Sequence, residues 1–268
     1  MAVDVRGNLY VIDSRRNRLY KLDPAGQVVA RVGDSGSADA QFNEPWGVAV
    51  DSTGNVFVAD TWNHRVQKFD QNLRFVTKWG AFGEVPGGGE RNPGVFYGPR
   101  GIAVDKDDNV YVTDTGNKRV QKFSPEGRPL AVFGTPGKEK GQFAEPVGIA
   151  VTPNGEFLVA DTWNRRVQRF NPAFQYVGEF PVIGWVGNGL LNKPYLAGDT
   201  EGAIWVTDPE THRILHYSGT GVLLNVYGKF GSDLSSLNTP VGVATDALGR
   251  IYIGDGGNSR VLRFPPPR

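Results

Sequence analysis

The chain alternates short apolar runs with polar turn clusters from end to end. PWGVAVD (45–51) and NVFVAD (55–60) are apolar at nearly every position and are divided by the turn at 52–54. RVQKFD (65–70) and RFVTKWG (74–80) follow with more alternation. Runs of this length, closed by Gly, Asn and Asp, predict strands joined as hairpins, and no stretch keeps the 3.6-residue period of a helix. Matching turns recur at 106–108, 153–155, 200–202 and 247–249, where Gly supplies the positive φ of a tight hairpin. The first two strands of each unit are apolar on both faces, the pattern of a sheet covered on both sides. The third strand is more alternating, with Lys or Arg at 21, 68, 122, 169 and 263.

Four strands form one unit, and the unit repeats. FVADTWNHRVQKF (57–69) returns as YVTDTGNKRVQKF (111–123) and LVADTWNRRVQRF (158–170), with weaker copies at 10–22, 205–217 and 252–264. All six copies place an Arg five residues after an Asp, at Asp13, Asp60, Asp114, Asp161, Asp208 and Asp255. The Asp residues are separated by 47, 54, 47, 47 and 47 positions, so seven extra residues lie after the second copy, within 81–98. Four-stranded units of this length, stacked face to face, predict an all-β, six-bladed β-propeller with four antiparallel strands per blade. A single domain over 1–268 is expected, with blades near 1–39, 40–80, 96–135, 143–181, 191–229 and 237–268 and an insertion at 81–95. The last blade is expected to lack its outer strand, because the sixth copy stops at RVLRFPPPR after three strands. The expectation is a segment of a longer polypeptide, with the alternative that the prolines at 265–267 end the sheet by withholding ladder donors.

The composition narrows the function classes. Lys and Arg number 29 against 28 Asp and Glu, a net charge of +1, so no whole-chain field draws the protein to nucleic acid or anionic lipid. The absence of Cys removes disulfides, thiolate metal sites and cysteine nucleophiles. No apolar run reaches the roughly 20 residues of a membrane-spanning helix, and the N-terminus lacks a signal-peptide layout, so no membrane insertion is expected of this segment. The compartment stays open, with an extracytoplasmic place favoured if the segment belongs to a larger bacterial protein.

The motifs PWGVAVD and VADTWNHRV resemble the NHL repeat, P-x-G-hydrophobic-A-V-D followed by V-x-D-x-x-N-x-R-V. The resemblance spans nearly all of the chain and implies the propeller fold. It implies no single function, because NHL propellers serve as RNA-binding domains, as sensor domains of bacterial kinases and as the scaffold of peptidyl-hydroxyglycine lyases. Two blades depart from the pattern. Blade five reads PYLAGD (194–199), one residue short, with Thr211 in place of the motif Asn, and blade one has Arg16 there.

Six copies of an Asp/Arg pair suit a turn that must be satisfied in every blade better than one catalytic site. His64 and His212 occupy one repeat position in opposite blades and, at an expected separation of roughly 20 Å or more, cannot share a metal. His216 takes the Lys/Arg position of the other blades and is expected to face solvent. Neither nucleophile nor metalloprotease motifs occur. No cofactor is expected; calcium in a central channel, held by Asn43, Glu44, Glu145, Asn192 and Asn238, is the alternative, against a reading of these residues as rim and turn formers.

The face opened by the connections between the second and third strands gathers Trp62 and Trp163 with Trp46, Arg100 and Tyr195 at the starts of inner strands, joined by the insertion. Turn tryptophans are not demanded by the repeat, since the equivalent positions hold Arg15, Gly116, Glu210 and Gly257. Exposed Trp, Tyr and Arg are the residue types of interface hot spots and of stacking platforms for sugars or bases. Trp46, Trp62, Arg100, Trp163 and Tyr195 are therefore the expected site of a non-catalytic binding or sensor module for a protein, small molecule or glycan. A metal-dependent hydrolase or lyase is the alternative. RNA binding ranks third, because Arg15, Arg16, His64, Arg100, Lys118, Arg165 and Lys193 are interrupted by Glu44, Glu145 and Glu210.

Overall fold

A computed structural model describes residues 1–185 and 193–267. The fold is all-β, a six-bladed β-propeller of successive antiparallel sheets. The chain divides into two compact units, Met1–Pro146 and Val147–Arg268.

The first unit contains blades one to three, each with strands a to d in chain order. Blade one is Ala2–Val3, Leu9–Asp13, Arg18–Leu22 and Val28–Val32. Blade two is Pro45–Val50, Val56–Asp60, Arg65–Phe69 and Phe75–Trp79, and blade three is Pro99–Val104, Val110–Asp114, Arg119–Phe123 and Pro129–Phe133. The second unit contains blade four (Pro146–Val151, Phe157–Asp161, Arg166–Phe170 and Tyr176–Pro181, its first residue preceding the division), blade five (Leu196–Gly198, Ile204–Asp208, Arg213–Tyr217 and Leu223–Tyr227) and blade six (Pro240–Thr245, Ile251–Asp255 and Arg260–Phe264). Among the described residues, then, blade six has three strands, as the repeat predicts.

Strand b is buried along its whole length in blades two to five, which explains why it is apolar on both faces. The a–b turns close on a side chain at their first residue. Asp51 Oδ1 accepts the backbone N–H of Thr53 and of Asn55, and Asp4, Asp105, Asp199 and Asp246 do the same in blades one, three, five and six. The turn at 106–108 has no Gly, and Asp108 itself takes the left-handed φ of 62°.

Parallel bridges link the end of one blade to the leader of the next. Ser35 pairs with Phe42, Pro136 with Phe143 and Phe230 with Leu237, each seven residues apart, whereas Phe82 pairs with Phe96 fourteen residues on. The seven extra residues thus lie between Phe82 and Phe96. The insertion is anchored where it crosses blade three: Val85 N–H donates to Asn117 Oδ1, Asn117 Nδ2 donates to Gly83 O, and Gly89 N–H donates to Gly134 O. Val85 is buried beneath it.

Candidate functional site

The six Asp residues end strand b and are buried in blades two to six. In blades two, three, four and six the carboxylate takes the Nε–H of the following Arg at 2.8–2.9 Å, and the motif Asn donates to the same oxygen. The second carboxylate oxygen accepts the N–H of the residue leading into strand a, as at Asn43, Tyr97 and Asn238. The Arg side chains continue to the carbonyls of the incoming loop: Arg65 to Ser37, Ala38 and Gln41, and Arg119 to Gly89, Arg91, Asn92 and Val95. These pairs join loops to turns and satisfy buried polar groups, a structural role. Blade one departs from it, since Arg18 turns to Asp34 and Asp13 pairs with Arg16.

In the first unit the structure brings Trp62 into a cluster that the repeat alone did not reveal. Trp62 is 41% exposed, and its indole N–H donates to Glu44 Oε2 at 3.1 Å. The ring of His64 lies edge-on to it at 6.1 Å, and Phe82 and Tyr97 pack on His64 at 4.8 and 6.2 Å and on each other at 5.7 Å. Phe82 is 57% and Tyr97 37% exposed. Trp62 also touches the leader of blade three, because a Cβ on Gly98 would stand 3.6 Å from its ring. It therefore covers a neighbour and remains open on its other side.

The glycine at the Trp62 position of blade three has a physical reason. A Cβ on Gly116 would stand 2.5 Å from the Tyr97 ring, so the aromatic of this blade comes from the leader and the turn gives way to it. Gly257 makes the same room for Asn238. The signal was present in FYGP (96–99), read against FNEP (42–45).

Trp46 and Arg100 also meet. The guanidinium carbon lies 5.2 Å from the Trp46 ring, and Trp46 Nε1 and Arg100 Nη1 are buried without a hydrogen-bond partner. Their approach needs Gly47, where a Cβ would come within 2.2 Å of the Arg100 carbonyl oxygen.

Four stretches of the chain, residues 42–69, 96–123, 143–170 and 237–264, match the model of the NHL repeat. The chain is an NHL-repeat β-propeller. The matches fall on blades two, three, four and six, and leave out blades one and five, where Arg16 and Thr211 replace the motif Asn. No curated protein matches the sequence. Similar solved structures include a catalytically inactive virginiamycin B lyase from Staphylococcus aureus with quinupristin, at 13% identity and a TM-score of 0.64 over 98% of this chain and 82% of that one. A gluconolactonase from Xanthomonas campestris is 16% identical with a TM-score of 0.68, covering 98% and 83%. The nidogen/laminin complex is 16% identical with a TM-score of 0.61, covering 84% and 77%. Identities this low carry the fold alone.

In the second unit of this NHL propeller, Trp163 is 42% exposed and lies 6.0 Å from the Lys193 ammonium. Lys193, counted among the basic residues of an RNA surface, is buried. Tyr195 is half-buried in the short inner strand region of blade five, where its N–H donates to Thr207 Oγ1. Trp163 and Tyr195 belong to a different unit from Trp46, Trp62 and Arg100.

His216 corrects an expectation. It is 6% exposed and stacked on Trp205 at 4.0 Å and 11°. The strand-c position it occupies lies over the strand-b aromatic: Lys21 sits over Tyr10, Lys68 over Phe57 and Lys122 over Tyr111. The long Lys stems span that ring to reach polar atoms, while the short imidazole stays on it.

Of the oxygen-bearing residues expected at a channel, Glu44 accepts the Trp62 indole N–H, Asn238 Oδ1 accepts the Thr239 hydroxyl, and the backbone N–H groups of Asn43 and Asn238 donate to Asp60 and Asp255. Asn192 lies outside the described residues. Among the described residues no group of three or more His, Asp or Glu is arranged to hold a metal ion, and no helix is long and apolar enough to cross a membrane.

Proposed function

We propose that this NHL propeller is a non-catalytic binding or sensor module whose first unit presents a partner- or ligand-binding surface at the turns of blades two and three. The observation that carries this reading is the exposed aromatic cluster of Trp62, Phe82 and Tyr97 around His64. Three large rings held at the surface by backbone pairing forfeit hydrophobic burial that a monomer would otherwise use, and rings of this kind supply much of the energy of recognition when covered. Their mutual angles are steep, so they form a ridged knob rather than one flat platform. Arg100 on Trp46 adds a cationic element in the same unit, and Trp163 and Tyr195 are the corresponding residues of the second unit.

The test is a screen of the protein against a glycan array and a displayed-peptide library, with hits measured again on Trp62→Ala/Tyr97→Ala and, separately, on Trp163→Ala. Hits that lose at least about tenfold in affinity with the first variant support the reading. Hits bound equally well by both variants and the native chain overturn it.

A further inference from the structure

The aromatic cluster between blades two and three carries a charge of its own. The segments that build it, 42–44, 61–64, 81–84 and 95–98, contain Glu44 and Glu84 and neither Lys nor Arg. His64 accepts the Gly98 N–H at Nδ1 and is neutral in that arrangement. Asp60, buried ahead of the same turn, is matched by Arg65, and Arg100 lies over Trp46. Glu44 and Glu84 are both exposed. Two carboxylates therefore stand on the segments of three open rings, in a chain whose net charge is only +1.

Glu44 is fixed by the cluster, because its Oε2 takes the Trp62 indole N–H at 3.1 Å. Donation toward a carboxylate leaves the indole richer in π charge, and a richer ring attracts a cation to its face more strongly. Glu84 follows Phe82 by two residues and has no ion-pair partner among the described residues. The second unit supplies a contrast. Phe230 packs on His212 as Phe82 does on His64, but Glu210 stands at the Trp62 position, Asn238 at the Tyr97 position, and Lys229 immediately before the Phe.

We infer that the cluster binds a basic peptide segment of a partner, with Arg or Lys side chains laid on the Trp62 and Tyr97 rings and paired with Glu44 and Glu84; this rests on the binding surface proposed above. A partner that covers these rings also strips water from the carboxylates, and cations brought by that partner offset the cost. An acidic segment or a phosphate would be repelled instead. Carboxylates on two separate segments call for two cations carried on one strand, which a single small cation does not supply.

The test titrates the intact, isotope-labelled chain with blocked hexapeptides that alternate Gly with Arg, Gln or Glu. It follows the Trp62 indole N–H resonance, identified by its absence in Trp62→Phe. The Arg peptide should shift that resonance saturably, while the Gln and Glu peptides should need at least about tenfold higher concentration. Glu44→Gln/Glu84→Gln keeps an amide oxygen for the indole and should keep the native thermal midpoint, yet weaken the Arg peptide by at least about fivefold. Glu84→Gln alone should weaken it by about twofold or more. Arginine amide should bind at least about tenfold more weakly than the Arg peptide. Equal response to the three peptides, an Arg peptide indifferent to both variants, or arginine amide as strong as the peptide overturns the inference. So does a glycan or neutral peptide that needs Trp62 and Tyr97, an outcome that leaves the binding surface itself standing. Hits indifferent to Trp62→Ala/Tyr97→Ala remove the surface and the inference together.

Discussion

The backbone N–H of Gly98 donates to Nδ1 of His64 at 3.2 Å, so the leader of blade three hangs on an imidazole from the turn of blade two. The second unit repeats the arrangement, with Thr239 N–H donating to His212 Nδ1 at 3.0 Å. Each His takes a left-handed φ and packs on a Phe two residues beyond the Gly that ends its blade, Phe82 and Phe230, at 4.8 Å in both cases. An accepting Nδ1 places the ring proton on Nε2 and requires the neutral form. The shared position of the two histidines is thereby explained as a tether between blades.

Acid should loosen that tether. Burial holds the His64 imidazole below its ordinary range, with Asp60 pulling weakly the other way. Below the unfolded-state value near 6.5 the unfolded chain binds more protons, so this contribution is complete above that pH and is lost as pH falls through the folded value. Urea unfolding at pH 7.5 and 5 should show a decline in stability that is smaller in His64→Gln. An unchanged slope in the variant would refute the assignment.

Arg119 should be among the least replaceable side chains. It is fully buried, pairs with Asp114 at 2.8 Å and holds four carbonyls of the insertion. Arg119→Ala leaves Asp114 with an unmatched buried charge and should cost about 3–5 kcal/mol. Arg18→Ala, whose partner Asp34 is largely exposed, should cost far less, because solvent screens the pair. Equal costs in chemical denaturation would contradict the distinction.

Gly116→Ala drives a methyl into the Tyr97 ring and should destabilise by about 1–3 kcal/mol, as overpacking does. In Gly116→Ala/Tyr97→Ala the ring is gone and the Tyr97 carbonyl oxygen, 2.6 Å from the added Cβ, remains, so the two effects should fall short of additivity by the part the ring contributes. A double-mutant cycle in urea measures this directly, and additive costs would place the strain elsewhere.

Much of this was legible in the sequence because the repeat is encoded by groups that every blade must satisfy. The Asp/Arg spacing marks the end of strand b in all six copies, and the seven-residue excess marks the insertion. The cluster was only half legible. Trp62 stands out against Gly116, but Phe82 and Tyr97 join it through a parallel bridge and a leader fold, which the alternation of apolar and polar positions does not report. His216 was misplaced because alternation shows which face a residue occupies, while the reach of the side chain determines whether it emerges. Lys68 extends past Phe57 to the Pro125 carbonyl, which an imidazole cannot do.

That difference makes His216→Lys a stabilising change. Neither imidazole nitrogen has a hydrogen-bond partner, and Nε2 stands 4.0 Å from Asp199 Oδ2, the oxygen that receives the Trp205 indole N–H at 3.0 Å. A lysine would place its stem across Trp205 and its ammonium near Asp199, as Lys122 does over Tyr111 with Asp105 at 3.0 Å. The gain should be about 1 kcal/mol at neutral pH, from a cation over indole and a satisfied carboxylate. It should grow in acid. Burial holds His216 below its ordinary range, so the native chain loses this contribution as pH drops from near 6.5 through the folded value, while a lysine stays charged throughout. The urea midpoints of variant and native protein should therefore separate further at pH 5 than at pH 7.5. A variant less stable than the native chain at both values would show that the Trp205 stack outweighs the cation it replaces.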